Sequence, residues 1–104
     1  MGSIEYKLVA EALANYKELN LFVNETKTLE EAKSILNLQG YYTGKIEDGQ
    51  IGYGFSVRYR NIETFIYEYN GLIVADPYID IYYNKGESVM EAMFIDDLEE
   101  GIYR

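Results

Sequence analysis

The sequence predicts an α+β domain in the order ααβββββα: a mainly antiparallel five-stranded sheet, two N-terminal helices and one C-terminal helix. Three observations predict it. Apolar residues recur with a helical period up to Gly40, the period changes to two beyond it, and Asp48-Gly49 and Asn70-Gly71 are two-residue hairpin signals between the alternating runs. Hairpin connections make the sheet antiparallel, and the helices should cover one of its faces. The length of 104 residues and 48% hydrophobic content fit a single domain over 1–104, with residues 1–3 read as a tag remnant or a disordered start.

Residues 4–20 form the first expected helix. Leu8, Val9, Ala12, Leu13, Tyr16 and Leu19 fall within an arc of about 140°, and the helix stops near Asn20 because Leu21 and Phe22 would land on the polar side. The second helix opens at Thr28-Leu29-Glu30-Glu31, a capping box in which the Thr28 hydroxyl accepts from the Glu31 N–H, and it ends at Gly40. Tyr41–Glu47 is the first expected strand. The second alternates cleanly, with Ile51, Tyr53, Phe55, Val57 and Tyr59 on one side and Ser56, Arg58 and Arg60 on the other. Ile62–Tyr69 and Leu72–Ala75 pair across Asn70-Gly71, Asp76-Pro77 interrupts the chain, and Tyr78–Tyr83 is the fifth strand. A last helix is expected near 87–96, because Val89, Met90, Met93 and Phe94 share one helical side.

Composition removes whole classes of chemistry. With no Cys and no His there is no disulfide framework, thiolate nucleophile, imidazole base or Cys/His zinc site. The longest aliphatic run, Leu72–Ala75, is far short of the ~20 residues that span a bilayer, and the N-terminus lacks a signal-peptide pattern. The expectation is a soluble, cytoplasmic protein.

Charge is the most informative quantity. The net charge is −9, and it is uneven: residues 1–60 carry eight acids and seven bases, whereas residues 61–104 carry ten acids against Lys85 and Arg104. Phosphate backbones and anionic membranes are bound by Lys and Arg, so neither is an expected partner. The complement of an acidic half is a basic protein surface.

Four motifs have simpler structural roles open to them. Gly52-Tyr53-Gly54-Phe55 resembles part of the aromatic strand motif of the RNA recognition module, but Ile51 replaces its basic residue and Ser56 and Arg58 replace its closing positions. Gly49, Gly52 and Gly54 lie in a hairpin with no helix after them, so they form no phosphate cradle. Arg58 and Arg60, with Lys45 across the hairpin, read as a solvated basic row that balances Glu63 or Glu68. The carboxylates show no Ca²⁺-loop or hydrolase spacing, so neither a metal nor another cofactor is expected, and the chain is read as non-enzymatic.

The acids near the C-terminus stand out. If the last helix ends near Asp96, then Asp96, Asp97, Glu99 and Glu100 crowd its negative end, where each costs ~0.3–1 kcal/mol. A local rule broken without compensation points to function. The expected function is therefore a small acidic inhibitor or decoy, of anti-defence or immunity type, that binds a basic, nucleic-acid-binding surface of a partner enzyme. The expected contact residues are Asp96, Asp97, Glu99, Glu100, Glu91, Glu87, Asp80 and Tyr82. Tyrosine supplies rigid contact area with a polar tip, and carboxylates imitate phosphates. The alternatives are a small-molecule or peptide site between the Tyr-rich sheet face and a helix, and a homodimer or larger homo-oligomer joined through that face.

Overall fold

The computed structural model describes residues 3–83 and 88–101. Helix α1 spans Ser3–Asn24 and α2 spans Leu29–Leu38. The strands are β1 (Tyr42–Thr43), β2 (Glu47–Asp48), β3 (Tyr53–Tyr59), β4 (Ile62–Tyr69), β5 (Leu72–Ala75), β6 (Tyr78–Tyr82) and β7 (Ser88–Phe94), and helix α3 (Ile95–Glu99) follows. They build one antiparallel sheet in the order β1-β3-β4-β6-β7, with β2 also paired to β3 and β5 to β4.

The pairs β1/β2 and β5/β6 each behave as one interrupted ribbon. Thr43 faces Val57 and Glu47 faces Gly54, so one extra residue bulges out between β1 and β2. Ala75 faces Ile66 and Ile81 faces Ile62, so two extra residues, the Asp76-Pro77 break, separate β5 from β6. An insertion of two leaves the alternation intact, and Ile73, Ala75, Ile79 and Ile81 all point into the core. Asn70 and Gly71 both have positive φ, 53° and 80°, as a type I′ hairpin requires. Gly54 is needed for another reason: a Cβ there would collide with the Ile66 carbonyl oxygen of β4.

The expected helix near 87–96 is a strand over residues 88–94, with a short helix after it. A bulge explains the misleading period. Met90 faces Ile81 and Met93 faces Ile79, so three residues of β7 span two of β6, with Ala92 at φ 52°. Met90 and Met93 thus both pack on the core at a spacing of three, which in an unbroken strand would put them on opposite faces. The chain at 84–87 lies outside the described residues.

Helix α1 continues to Asn24 instead of stopping at Asn20. Beyond Leu19 it runs along the edge of β5, and its polar residues supply what a neighbouring strand would. The Tyr16 hydroxyl donates to the Ala75 carbonyl (2.6 Å), Asn20 Oδ1 accepts from the Ala75 N–H (2.9 Å), and Asn24 Nδ2 donates to the Ile73 carbonyl (2.6 Å). The spacing of four places all three on one stripe of the helix. Helix α2 begins as expected, with Thr28 Oγ1 accepting from the Glu31 N–H at 3.0 Å.

Both long helices lie on the same side of the sheet, α1 over β4–β6 and α2 over β1, β3 and β4, and α3 contacts α1. Leu19, Val23, Leu36, Phe55, Ile62, Ile66 and Ile81 are fully buried between these layers. Each buried aliphatic or aromatic side chain contributes about 1.5–3 kcal/mol relative to exposure. Among the described residues no helix lies over the other face of the sheet.

Candidate functional site

The alternation that sends Ile62, Thr64 and Ile66 inward sends Glu63, Phe65 and Tyr67 onto this open face, and β6 adds Tyr78, Asp80 and Tyr82 beside them. The aromatic rings are paired. Phe65 and Tyr67 stack with centroids 6.3 Å apart, and Tyr78 and Phe94 meet at 4.4 Å with a tilt of 51°. Tyr78, Phe94, Tyr69 and Leu72 remain substantially exposed.

Polar groups are threaded between the rings. The Tyr82 hydroxyl donates to Glu63 Oε1 at 2.9 Å, and the Arg58 guanidinium lies 3.3 Å from the centre of the Tyr82 ring. Burial pushes the Tyr82 phenol up, and its hydrogen bond to Glu63 adds to the shift. Asp80 Oδ1 accepts from the Ala92 N–H at 2.6 Å, so the β7 bulge holds that carboxylate in place. A depression of about 280 Å³ opens here, with Glu63, Asp80, Phe65, Tyr78 and Ser56 in its lining.

A second cavity, of about 390 Å³, lies between α1 and the end of β6. Lys7, Leu8 and Glu11 line it from the helix, and Tyr82, Tyr83, Arg60 and Asn61 from the sheet. Arg60 sits in the β3–β4 turn at a left-handed φ of 55°, which is strained for a side chain of this kind. It is held there by Glu18 at 2.8 Å and by Asn15 and Tyr41 at 3.3 Å. The Tyr59 hydroxyl also donates to Glu18. That hydrogen bond, more than the Arg60 charge, draws the Glu18 carboxyl below its ordinary range. Burial, together with the same hydrogen bond, raises Tyr59 well above a free phenol.

The expected contact residues do not assemble as one patch. Asp80 and Tyr82 lie on the open face, and Glu91 is exposed on β7. Asp96, Asp97, Glu99 and Glu100 belong to α3 and its C-cap, which contact α1 in the helical layer. Because α3 begins at Ile95, Asp96 and Asp97 occupy its first turn, where negative charge is favoured, and Lys17 pairs with Glu99 at 3.3 Å. The unfavourable crowding expected at a helix C-terminus is therefore absent for the two aspartates. Glu87 lies outside the described residues.

The expected basic row is dispersed as well. Arg60 leaves the strand for Glu18, Lys45 pairs with Glu47 at 3.9 Å, and Arg58 turns to Tyr82, although Glu63 is its register partner. Glu63, Phe65 and Tyr78 were not among the expected contact residues, yet the alternation of Ile62–Tyr69 already put the first two on the side away from the core.

Among the described residues no group of three or more Asp or Glu is placed to hold a metal ion, and no helix is long and apolar enough to cross a membrane. A scan of protein-family models gives no match, and comparison with curated proteins and with solved structures gives none either.

Proposed function

We propose that this chain is an acidic, non-catalytic binding protein that docks its open sheet face onto a basic surface of a partner protein. A nucleic-acid-processing enzyme has such a surface, and occupying it would make this chain an inhibitor or decoy. The observation that carries the reading is the uncovered face itself, where the Phe65–Tyr67 and Tyr78–Phe94 ring pairs stand beside Glu63 and Asp80. Interfaces are enriched in Tyr and Phe at their centres, with polar groups around them. The net charge of −9 adds long-range attraction to a basic partner. Within the expected contact set, Asp80 and Tyr82 remain central, and the α3 acids make a separate negative patch on the helical side.

The test is to capture a partner with the tagged chain from its own host, purify that partner, and titrate the binary complex. Support is binding by a basic protein that weakens as salt rises from about 0.1 to 1 M, over which the Debye length falls from about 10 to 3 Å. A Tyr78→Ser, Phe94→Ser variant should then lose the complex and any inhibition. Full binding by that variant overturns the reading.

The 390 Å³ cavity favours one other reading, a small-molecule site between α1 and Tyr82 and Tyr83. Ligand binding there would depend little on salt and would be lost on filling the cavity from Leu8.

A further inference from the structure

Glu63 and Asp80 are direct cross-strand partners in the β4–β6 ladder, so their carboxylates stand opposite each other on the open face. Like charges in that relation destabilise an antiparallel pair. Arg58 stands in register with Glu63 on the neighbouring strand, yet among the described residues no ion pair joins a cation to either carboxylate: those formed are Lys17–Glu99, Lys45–Glu47 and Arg60–Glu18. Arg58 places its guanidinium on the Tyr82 ring, and its enclosed Nε has no hydrogen-bond partner.

Each carboxylate is nevertheless oriented by a neutral donor. Glu63 accepts from the Tyr82 hydroxyl through Oε1, and Asp80 accepts from the Ala92 N–H through Oδ1. No hydrogen bond among the described residues occupies Glu63 Oε2 or Asp80 Oδ2, and a carboxylate can accept at both oxygens. Phe65 and Tyr78 wall the same depression of about 280 Å³, and Tyr78 is buttressed by Phe94.

We propose that this depression is a receptor for one arginine side chain of the partner, its guanidinium seated between the Glu63 and Asp80 carboxylates and against the Phe65 and Tyr78 rings. The proposal rests on the docking reading above and names the group that the docking face recognises. Two carboxylates suit the planar fork of a guanidinium, and aromatic faces attract cations as they give up water. A hard metal ion is a poorer match, since it needs six or more oxygens and gains nothing from rings. The face already shows this chemistry once, in the Arg58–Tyr82 stack.

The test titrates N-acetyl-arginine amide into isotopically labelled protein and follows it by NMR, with N-acetyl-citrulline amide as the uncharged isostere. The arginine probe should give saturable shifts of the Asp80 and Ala92 amides and of the Phe65 and Tyr78 ring protons. Citrulline should bind about ten-fold more weakly or not at all, a difference of ~1.4 kcal/mol. The Glu63→Gln, Asp80→Asn variant keeps both neutral-donor hydrogen bonds, so it should fold with an unchanged spectrum away from the face while losing arginine binding. Equal shifts from citrulline, no saturable shift from arginine, or undiminished affinity in the variant overturns the proposal. A partner that needs Tyr78 and Phe94 but binds the Glu63/Asp80 variant unchanged overturns the receptor and leaves the docking face. Arginine binding at this site with no face-dependent partner overturns the docking reading instead.

Discussion

The stripe of Tyr16, Asn20 and Asn24 along the β5 edge invites a direct perturbation. Replacing Asn20 and Asn24 with Ala removes the acceptor of the Ala75 N–H at 2.9 Å and the donor to the Ile73 carbonyl at 2.6 Å. Ile73 and Ala75 are almost fully buried, so water replaces the lost partners poorly. A net hydrogen bond contributes about 0.5–1.5 kcal/mol, and an orphaned buried group costs about 1–3 kcal/mol. The double variant should therefore lose about 2–4 kcal/mol, less than the about 5–15 kcal/mol expected of a folded domain. Urea unfolding followed by circular dichroism should show a lower midpoint with an unchanged slope. The bared edge of β5 should also pair with a second molecule, which light scattering after size exclusion would register as a larger mass than that of the parent chain. Leu21→Ala on the same helix, at a position 69% exposed, is the control and should change stability by less than about 0.5 kcal/mol. A double variant that matches this control in both measurements would refute the view that helix side chains complete the sheet edge.

Other substitutions probe other parts of the argument. Gly54→Ala should cost about 3 kcal/mol or more, because the new methyl meets the Ile66 carbonyl and β3 must move away from β4; thermal unfolding would measure it. Glu63→Gln should raise stability by about 0.2–1 kcal/mol by removing one member of a like-charge cross-strand pair, and a fall in the unfolding midpoint would contradict this. Burial, with Asp76 nearby, pushes the Tyr16 phenol up to about 12, against a usual value of 10. The folded chain therefore keeps a proton that the unfolded chain releases, so this contribution is complete below pH 10 and is lost between pH 10 and about 12. Tyr16→Phe should flatten that part of the stability–pH curve.

Much of the fold could be read from local pattern, because local chemistry decides it. The Thr28 cap, the Asn70-Gly71 turn and the alternation of Ile62–Tyr69 each concern residues a few positions apart, and each is present as expected. The misread element, β7, has a pattern altered by its bulge, since three residues spanning two put Met90 and Met93 on one face just as a helix would. Leu21 and Phe22, on the polar side, suggest a stop near Asn20; the helix instead leaves Leu21 exposed and continues because Asn20 and Asn24 find partners at Ala75 and Ile73, which are distant in sequence.

The candidate site was hidden for a related reason. Extending the hairpin register from Asn70-Gly71 would set Glu63 opposite Tyr78, and only the two-residue break at Asp76-Pro77 brings Asp80 there instead. The break is visible in the sequence as a proline; its size is not. The acids at 96–100 adjoin β7 in the chain, but the turn into α3 carries them into the helical layer.

The way α1 is held has a consequence for the order of events in folding. Its polar anchors reach Asn61, Ile73 and Ala75, contacts that span 46 to 59 positions of chain. The β3–β4 and β4–β5 hairpins close over a few residues and can form within about 1–10 μs, long before so wide a loop is closed. Most of the stability of a helix such as α1 comes from packing its apolar face against the rest of the fold. During synthesis, α1 therefore leaves the ribosome before β5 and must wait until residue 75 has emerged before it can dock. The helix made before the sheet is secured only after it, and for that interval its Leu8, Val9 and Leu19 stripe is the surface most in need of shelter.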